Sequence, residues 1–349
     1  MMYDKIKKAR IDKKLKIREV AATLKVDASL ISKFESGNRK PTREQVIKIA
    51  NLLDLDAHDL LLDWLSNQIV ENIGYGNFAL EVLSLAEDKV KYYRKDEFKV
   101  HNDLIEILKE IDDLKLKLEQ HRELDSYRIT QALELEYTFE SNRIEGNTLT
   151  LKETDLVVNE GITISGKSMR EHLEAINHKE AIHYIKELIH EKSGFSERDL
   201  LLIHSLILKG IDAKYAGTYR DVQVMISGSK HLPPQPYMIK KQMEDLFFWY
   251  EAHKNQWHPV VLAAELSERL VTIHPFIDGN GRTSRLIMTL ILLKNGYVIA
   301  NIKGDSENRM KYYQALENAQ VEDKKEDFHL FVAQEELQAL NRYCVILGI

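Results

Sequence analysis

The chain is poor in cysteine, proline and glycine. Its 349 residues contain one cysteine, six prolines and 15 glycines. A single cysteine, Cys344, cannot form a disulfide within the chain, so nothing in the sequence requires an oxidising compartment. Because prolines and glycines are the residues that most often interrupt helices, their scarcity leaves long stretches free to be helical. We therefore expect a mainly helical protein.

Long apolar runs are also missing. No stretch approaches the roughly 20 apolar residues that cross a bilayer as a helix. The first residues, Met-Met-Tyr-Asp-Lys-Ile-Lys-Lys, are charged, where a signal peptide would have an apolar core. A composition of 44% hydrophobic and 30% charged residues is typical of soluble globular proteins. We expect a cytoplasmic protein of two or three domains with no membrane partner.

Charge of either sign is unevenly distributed along the chain. The whole chain carries a net charge of −6, yet residues 1–48 contain 14 Lys and Arg against 6 Asp and Glu. This segment therefore carries +8 and the remaining residues −14. A basic N-terminal module that binds a polyanion is one interpretation, and a solvated charged surface is the other.

Residues 1–65 have the apolar spacing of five short helices. Val20 and Leu24 belong to the apolar face of the second helix, and Ile31 and Phe34 to that of the third. Two helices joined by a tight turn can place the second one in a DNA major groove. In this segment the second helix of such a pair would cover residues 28–36. The candidate DNA contacts on it and just after it are Ser29, Ser32, Lys33, Arg39 and Lys40.

This N-terminal stretch resembles the XRE/Cro family of helix-turn-helix domains. The resemblance lies in Val20-Ala21, in Leu30-Ile31-Ser32-Lys33-Phe34-Glu35-Ser36-Gly37 and in Arg39-Lys40-Pro41. It implies a DNA-binding helix-turn-helix domain over residues 1–65. Ile17 stands where the family often has a glutamine that contacts DNA, so a helix-turn-helix fold used for dimerisation or partner docking is the alternative.

Residues 66–125 are interpreted as a helical connector. Four apolar residues of this segment fall on a rough heptad seam: Leu104, Leu108, Ile111 and Leu118. The seam is too short to establish a coiled coil. A connecting helix packed on its neighbours and the zipper of a homodimer are the two interpretations.

Residues 126–349 form the largest segment, which is again mostly helical. The exception is 219–237, where Val222, Val224 and Ile226 occupy alternate positions before Ser227-Gly228-Ser229. Alternation followed by a glycine-containing turn predicts a β-hairpin. The predicted fold class is therefore all-α with one small β-hairpin flap.

A short segment, residues 274–285, concentrates groups suited to phosphate chemistry. It reads His-Pro-Phe-Ile-Asp-Gly-Asn-Gly-Arg-Thr-Ser-Arg and separates two apolar helices. His274 has a side chain that titrates near neutrality and is a candidate general base, while Asp278 offers the hard oxygen that Mg²⁺ prefers. A glycine-containing loop at a helix N-terminus binds anions through backbone N–H groups. Arg282 and Arg285, three residues apart, can project from one face toward the same phosphates.

These twelve residues resemble the Fic family signature, His-Pro-Phe-x-Asp/Glu-Gly-Asn-Gly-Arg-x-x-Arg, at every fixed position. The wider resemblance covers about residues 100–349. It implies a protein adenylyltransferase, which transfers AMP from ATP to a Ser, Thr or Tyr hydroxyl with Mg²⁺ as cofactor and releases pyrophosphate.

The resemblance also implies roles for individual residues. His274 would deprotonate the target hydroxyl and Asp278 would hold Mg²⁺. The phosphates would be bound by Gly279, Asn280, Gly281, Arg282 and Arg285. The flap at 219–237 would dock the target protein as an added strand. Tyr312 and Tyr313 would lie near the adenine, or would be plain core residues.

A second motif precedes the signature. Ser141 and Glu145 are four residues apart on one helix face, and Gly146 follows. The motif matches the Fic inhibitory pattern Ser/Thr-x-x-x-Glu-Gly/Asn and implies a helix near 138–146 whose Glu145 pairs with Arg285. That pairing would deny the guanidinium to the γ-phosphate. The alternative is an ordinary glutamate at a helix end.

Three other functions are weighed. A transcription regulator could use the Fic domain only to sense nucleotide, and would bind ATP without turnover. A Fic variant could remove AMP or transfer another phosphate-containing group. A metal hydrolase using His253, His258, His274 and Asp278 is disfavoured because their spacing matches no standard zinc motif.

Overall fold

The structure is a computed structural model. The structure describes residues 2–24, 26–94, 102–121, 123, 127–190 and 195–349. The chain divides into two compact units, Met1–Glu97 and Phe98–Ile349. The segment predicted as a connector, 66–125, is thus shared between the two units. Its predicted end at 125–126 lies outside the described residues, and the three-segment division stays a prediction.

Helices dominate both units. In the first unit they are α1 (Met2–Asp12), α2 (Ile17–Leu24), α3 (Ala28–Glu35), α4 (Arg43–Leu53), α5 (Ala57–Ile73) and α6 (Asn77–Arg94). In the second unit they are α7 (Asn102–Glu119), α8 (Tyr127–Ile144), α9 (Leu151–Glu160), α10 (Met169–His190), α11 (Glu197–Ile207), α12 (Pro236–His253), α13 (Pro259–Ile273), α14 (Asn280–Lys294), α15 (Ser306–Val321) and α16 (Lys325–Leu347). The part of the chain that the structure describes contains no β-strand. The all-α fold class is confirmed.

The first unit has the five helices predicted for residues 1–65, and the fifth continues to Ile73. Helix α3 begins where the Asp27 carboxylate accepts the Ser29 N–H at 2.7 Å, and α4 begins with a capping box between Thr42 and Gln45. The apolar faces of the five helices meet in one core that includes Ile31, Phe34, Val46, Ile49 and Leu60. This packing fixes the pair α2–α3 in the helix-turn-helix arrangement.

The second unit is built around the helix pair α13–α14. Nearly every residue of both helices is buried, since α10, α11, α12 and α16 pack around them. A helix that is apolar on all sides is stable only when neighbours cover it completely. The loop between these two central helices is therefore held by a rigid frame.

Helix α7 packs against α16 within the same unit. The four residues of the heptad seam, Leu104, Leu108, Ile111 and Leu118, are all buried. Of the two interpretations of this seam, the structure favours a helix packed on its neighbours over an intermolecular zipper.

The prediction of a β-hairpin at 219–237 was wrong. Residues 219–235 run as irregular backbone with a turn at Ser227–Gly228, and α12 begins at Pro236. The guanidinium of Arg220 donates to the Val222 carbonyl at 2.8 Å and to the Pro234 carbonyl at 2.6 Å. These bonds engage carbonyls that a two-stranded ladder would use, and Pro233 and Pro234 have no N–H to donate.

No helix in the described part of the chain is both long enough and apolar enough to span a membrane.

Candidate active site

The loop between α13 and α14 places His274 at its start. The residue closes α13 in the left-handed conformation (φ +50°), and its N–H donates to the Leu270 carbonyl. Pro275 then prevents the helix from continuing. The imidazole Nδ1 lies 3.3 Å from the Val271 carbonyl. A proton on Nδ1 in that contact leaves the lone pair on Nε2.

Two side chains fix the shape of the loop. Asn280 donates from Nδ2 to the Phe276 carbonyl at 2.9 Å and accepts the Phe276 N–H at 3.0 Å. His204 stacks on the Phe276 ring at 3.6 Å between centroids. Its Nδ1 accepts the Gly217 N–H at 3.0 Å, so Nε2 carries the proton and donates to the Asp278 carbonyl at 2.9 Å. Because the Asn280 side chain is used within the loop, only its backbone N–H is left for a phosphate.

The N-terminus of α14 has no side-chain cap. Its N-cap is Gly279, with φ +80° and no side chain to accept a hydrogen bond from the first turn. By contrast, the capping boxes of α9 and α11 provide side-chain acceptors for backbone N–H groups in the first turn of each helix. Free N–H groups and the positive end of the helix dipole together favour a bound anion. The sequence places its phosphate site at this helix end, and that assignment stays a prediction.

The anion nearest to this helix end belongs to the protein itself. Arg285 donates to Glu145 Oε1 at 2.7 Å, to Ser141 Oγ at 3.1 Å and to the Ser141 carbonyl at 2.9 Å. The same Glu145 oxygen lies so close to Gly281 that a Cβ at that position would overlap it. The Glu145 carboxylate therefore occupies the space over the first turn of α14. The predicted contact between Glu145 and Arg285 is present.

The carboxylate of Asp278 is held by groups from two helices. Its Oδ1 accepts the Gly279 N–H at 2.6 Å and lies 3.4 Å from Arg282 Nη2. Its Oδ2 accepts from Arg170 Nη2 at 2.5 Å. Both arginines also contact Glu174, at 3.1 Å from Arg170 Nε and 3.4 Å from Arg282 Nη1. Each arginine of the signature is thus paired with a carboxylate of the chain.

Burial shifts the protonation equilibria of the site. Desolvation lowers the pKa of His274 to about 4, and the Arg220 charge adds to this effect. Desolvation alone would raise the pKa of Asp278, but Arg282, the Gly279 amide and Arg170 outweigh it and hold that pKa below its ordinary value. Burial acts against the charge on Arg285, yet Glu145 more than compensates and raises the Arg285 pKa. At neutral pH the site holds a neutral imidazole, an ionised aspartate and a charged guanidinium.

The irregular segment 219–235 is attached to this loop. Arg220 Nε donates to the His274 carbonyl at 2.8 Å, and the Arg220 N–H donates to the Pro275 carbonyl at 2.9 Å. Farther along, His231 Nε2 lies 2.8 Å from the Thr272 carbonyl. Both ends of the segment are therefore positioned against the end of α13 that presents His274.

The two tyrosines predicted near the adenine differ in exposure. Tyr312 is buried, with the Arg285 guanidinium over its ring at 5.8 Å. Tyr313 is 41% exposed, and its hydroxyl donates to the Ile144 carbonyl at 3.1 Å. The accessible aromatic surface beside Glu145 is that of Tyr313. A contact between adenine and either tyrosine stays a prediction.

The arrangement of carboxylates fits a magnesium ion held mainly by a nucleotide. Within the described ranges no group of three or more His, Cys, Asp or Glu side chains could enclose a metal ion. Mg²⁺ commonly binds through one or two carboxylates together with phosphate oxygens and water. Asp278, ionised and adjacent to the N-terminus of α14, is the predicted source of one hard oxygen ligand of that kind.

The structure brings together every residue predicted for catalysis, phosphate binding, metal binding and inhibition. The DNA-contact candidates lie in the other unit, where Ser29, Ser32, Lys33, Arg39 and Lys40 are all exposed. Lys40 forms an ion pair with Glu71.

Sequence reasoning missed four residues that shape the site: Arg170, Glu174, His204 and Arg220. The only local signal among them is the spacing of Arg170 and Glu174, four residues apart on one helix face. Arg170, His204 and Arg220 contact loop residues that are 54 to 108 positions away in sequence, so no local pattern reveals these contacts.

Comparison with known proteins defines the class. Residues 194–292 match the Fic/DOC family and residues 3–63 match a helix-turn-helix domain. The chain thus carries a Fic domain, which contains the whole 274–285 loop, preceded by a helix-turn-helix domain. Both resemblances seen in the sequence are confirmed.

Individual proteins similar to this chain are also named as Fic proteins. The chain is 36% identical over 210 residues to a protein adenylyltransferase Fic from Nematostella vectensis; the match covers 60% of this chain and 48% of the relative. The chain therefore spans about half the length of that relative. Among solved structures, a fragment of Fic-1 from C. elegans is 24% identical with a TM-score of 0.60, and the match covers 99% of each chain. A Fic family protein from Desulfovibrio desulfuricans is 25% identical with a TM-score of 0.63, over 71% of this chain and 76% of that one.

Proposed function

We propose that this protein is an adenylyltransferase that modifies Ser, Thr or Tyr hydroxyls of another protein and is inhibited by its own Glu145. The observation that carries the proposal is one loop, 274–285, in which a neutral imidazole, an ionised aspartate, a helix N-terminus without a side-chain cap and two arginines converge. The name of the Nematostella relative supports the same activity.

The reaction uses the groups in a definite order. The target hydroxyl loses its proton to Nε2 of His274, and its oxygen forms a bond to the α-phosphorus of ATP. The bond between the α-phosphorus and the bridging oxygen breaks, and pyrophosphate leaves. The first-turn N–H groups of α14, together with Arg282 and Arg285, stabilise the negative charge on the phosphates. Asp278 would hold Mg²⁺, and the bound ion would neutralise phosphate charge.

The low pKa of His274 suits a base that must be unprotonated at neutral pH. A pKa of about 4 keeps almost all of the imidazole neutral at pH 7. The same low pKa makes the imidazole a weak base before the nucleotide binds. Bound phosphates would raise the pKa of His274 toward neutrality through their negative charge.

Target docking is proposed for the 219–237 segment. Its irregular backbone forms no ladder within the described residues. An added strand would pair with peptide groups other than the Val222 and Pro234 carbonyls, which Arg220 engages. Arg220 anchors the segment to the His274 carbonyl. A target strand paired there would present its hydroxyl close to the imidazole.

Inhibition follows from the position of Glu145. Its carboxylate lies over the end of α14 and pairs with Arg285, the arginine proposed to bind the γ-phosphate. Nucleotide that binds beside Glu145 would have its α-phosphate out of line with the incoming hydroxyl. Weak transfer by the wild-type chain is the expected consequence.

The experiment that tests the activity is mass spectrometry of a host lysate. The Glu145→Gly variant, incubated with ATP and Mg²⁺, should add the mass of AMP to Ser, Thr or Tyr of one or a few proteins. The double variant Glu145→Gly/His274→Ala should add none. An equal pattern from both variants would remove His274 from the mechanism.

A second function, DNA binding, is proposed for the first unit. It is supported by the helix-turn-helix match over residues 3–63. It is also supported by the exposure of Ser29, Ser32 and Lys33, which all lie on α3. The net charge of +8 over residues 1–48 would attract the phosphate backbone. A helix in the major groove reads base edges, whereas flanking lysines contact phosphates.

Footprinting with the DNA upstream of the gene tests this second function. Lys33→Ala should lower discrimination between specific and unrelated DNA more than Lys40→Ala does, because Lys33 lies on α3 and Lys40 lies beyond it. Lys40 is the matched control, and its pairing with Glu71 further reduces its share in phosphate binding. No protection at low salt would instead favour partner docking by this unit.

A further inference from the structure

One oxygen of the Asp278 carboxylate is occupied by an arginine from another helix. Arg170, in the first turn of α10, donates from Nη2 to Asp278 Oδ2 at 2.5 Å. A guanidinium in this position supplies positive charge to the carboxylate at the oxygen that the Gly279 amide does not contact. It is a residue for which neither the Fic signature nor the inhibitory motif gives a role.

The two oxygens of Asp278 are not equivalent. Oδ1 is held inside the loop by the Gly279 N–H at 2.6 Å and faces Arg282 at 3.4 Å. Arg282 is 2% exposed, so it has no solvent to move into. Oδ2 is the oxygen left for an external ligand, and Arg170 holds it.

Arg170 differs from Arg282 in its freedom to move. Its side chain is 56% exposed, so the guanidinium can leave Asp278 for water at small cost in solvation. Its Nε would keep the hydrogen bond to Glu174 at 3.1 Å. Only the contact with Asp278 would break, while the contact with Glu174 of the same helix would remain.

Glu174 ties this arginine to the inhibitory segment. The carboxylate accepts from Asn147 Nδ2 at 3.0 Å, two residues beyond Glu145, and pairs with Arg282 at 3.4 Å. The same glutamate therefore contacts the segment after α8, the first turn of α10 and the signature arginine. Arg170 thus belongs to the same side-chain network as the segment that follows Glu145.

We propose that Arg170 is a removable internal cation: it occupies Asp278 Oδ2 in place of the divalent ion, and the ion binds only after Arg170 has moved away. A guanidinium and a divalent cation cannot share this oxygen, because two positive charges a few ångströms apart repel each other. The inference rests on the proposed function in one respect, the assignment of Asp278 as the metal ligand. Arg170 acts through Asp278 and is a positioning residue.

The test measures ion binding without turnover. Mn²⁺ is titrated into nucleotide-free protein and the free ion is followed by electron paramagnetic resonance. The Asp278→Asn variant gives the background from other sites. Arg170→Gln should raise the Asp278-dependent Mn²⁺ affinity by about threefold to tenfold, a modest factor because the ion pair is half exposed.

Two further variants control the comparison. Arg198→Gln removes an exposed arginine from α11 and should leave the Mn²⁺ affinity at the wild-type value. Arg170→Lys keeps a cation with fewer donors and should give an intermediate affinity, with thermal melting checking that each variant is folded. Raising the salt concentration should reduce the difference between wild type and Arg170→Gln.

The outcomes separate this inference from the proposed function. An Mn²⁺ affinity of Arg170→Gln equal to or weaker than that of wild type overturns the inference, whether or not the chain transfers AMP. Tighter binding that disappears in Arg170→Gln/Asp278→Asn supports it, even if no variant transfers AMP. Absence of any Asp278-dependent Mn²⁺ binding overturns the inference but not the proposed function, in which the ion binds together with the nucleotide.

Discussion

Replacing Glu145 by glycine should activate the enzyme, and the structure sets the size of the effect. Arg285 is 1% exposed and makes one contact with Glu145 and two with Ser141. The substitution removes only the first, so the guanidinium stays placed by Ser141 and becomes free for a phosphate. Because α8 ends at Ile144, a glycine at 145 interrupts no helical turn.

A charge-assisted hydrogen bond contributes about 1.5–3 kcal/mol. Glu145 is 33% exposed, so the lower part of this interval applies. At about 1.4 kcal/mol per factor of ten, the initial rate of transfer should rise by roughly tenfold to fiftyfold. The space over Gly281 that the carboxylate occupies is vacated as well, which favours the productive pose of the triphosphate.

The assay is the initial rate of AMP incorporation at equal protein concentration. Glu145→Gln, which keeps the size of the side chain and removes its charge, should be activated less than Glu145→Gly. The double variant Glu145→Gly/Arg285→Ala should lose most of the gain, since the freed arginine is its proposed cause. The reasoning is refuted if folded, ATP-binding Glu145→Gly is no faster than wild type.

Two predictions concern pH. The first concerns His274, whose pKa is lowered by burial to about 4. Because kcat/KM reports the free enzyme, kcat/KM of Glu145→Gly should stay flat from about pH 8 down to about pH 5.5 at saturating Mg²⁺. A fall centred near the ordinary histidine pKa would contradict the assignment of His274 as a base with a lowered pKa. Burial raises the pKa of Glu336 from 4.5 to about 8, so its contribution to stability is fully present below pH 4.5 and is lost as the pH rises through 8. Glu336→Gln, whose amide oxygen can still accept the Val298 N–H, should therefore melt higher than wild type by a margin that widens from pH 5 to pH 8.5. A margin independent of pH would show that Glu336 is ionised throughout.

Local signals in the sequence predicted most of the helices and the contents of the catalytic loop. Helix spacing around Val20, Ile31 and Val46 depends on contacts within one turn of helix, so the five-helix bundle followed from it. The loop 274–285 was recognisable because base, metal ligand, glycines and arginines are neighbours in sequence. The inhibitory contact was predictable for a different reason: Glu145 and Arg285 are 140 residues apart, and only the family resemblance linked them.

The misses have a common physical cause. Alternation at Val222, Val224 and Ile226 predicted a hairpin, but Arg220 binds the carbonyls of that segment and joins it to the His274 loop. Arg170 and His204 reach Asp278 across 108 and 74 residues. Contacts of this kind are set by how the helices pack, and the short-range pattern around each residue carries no trace of them.

The central claim, that this site transfers AMP to protein, is tested most directly by the position of the transferred phosphate. Glu145→Gly should be incubated with Mg²⁺ and a host lysate, once with ATP labelled in the α-phosphate and once with ATP labelled in the γ-phosphate. The account predicts that protein acquires the α-label, that the γ-label leaves in pyrophosphate, and that adding His274→Ala abolishes the transfer. Protein labelled from the γ-phosphate, or α-label that persists without His274, would contradict it.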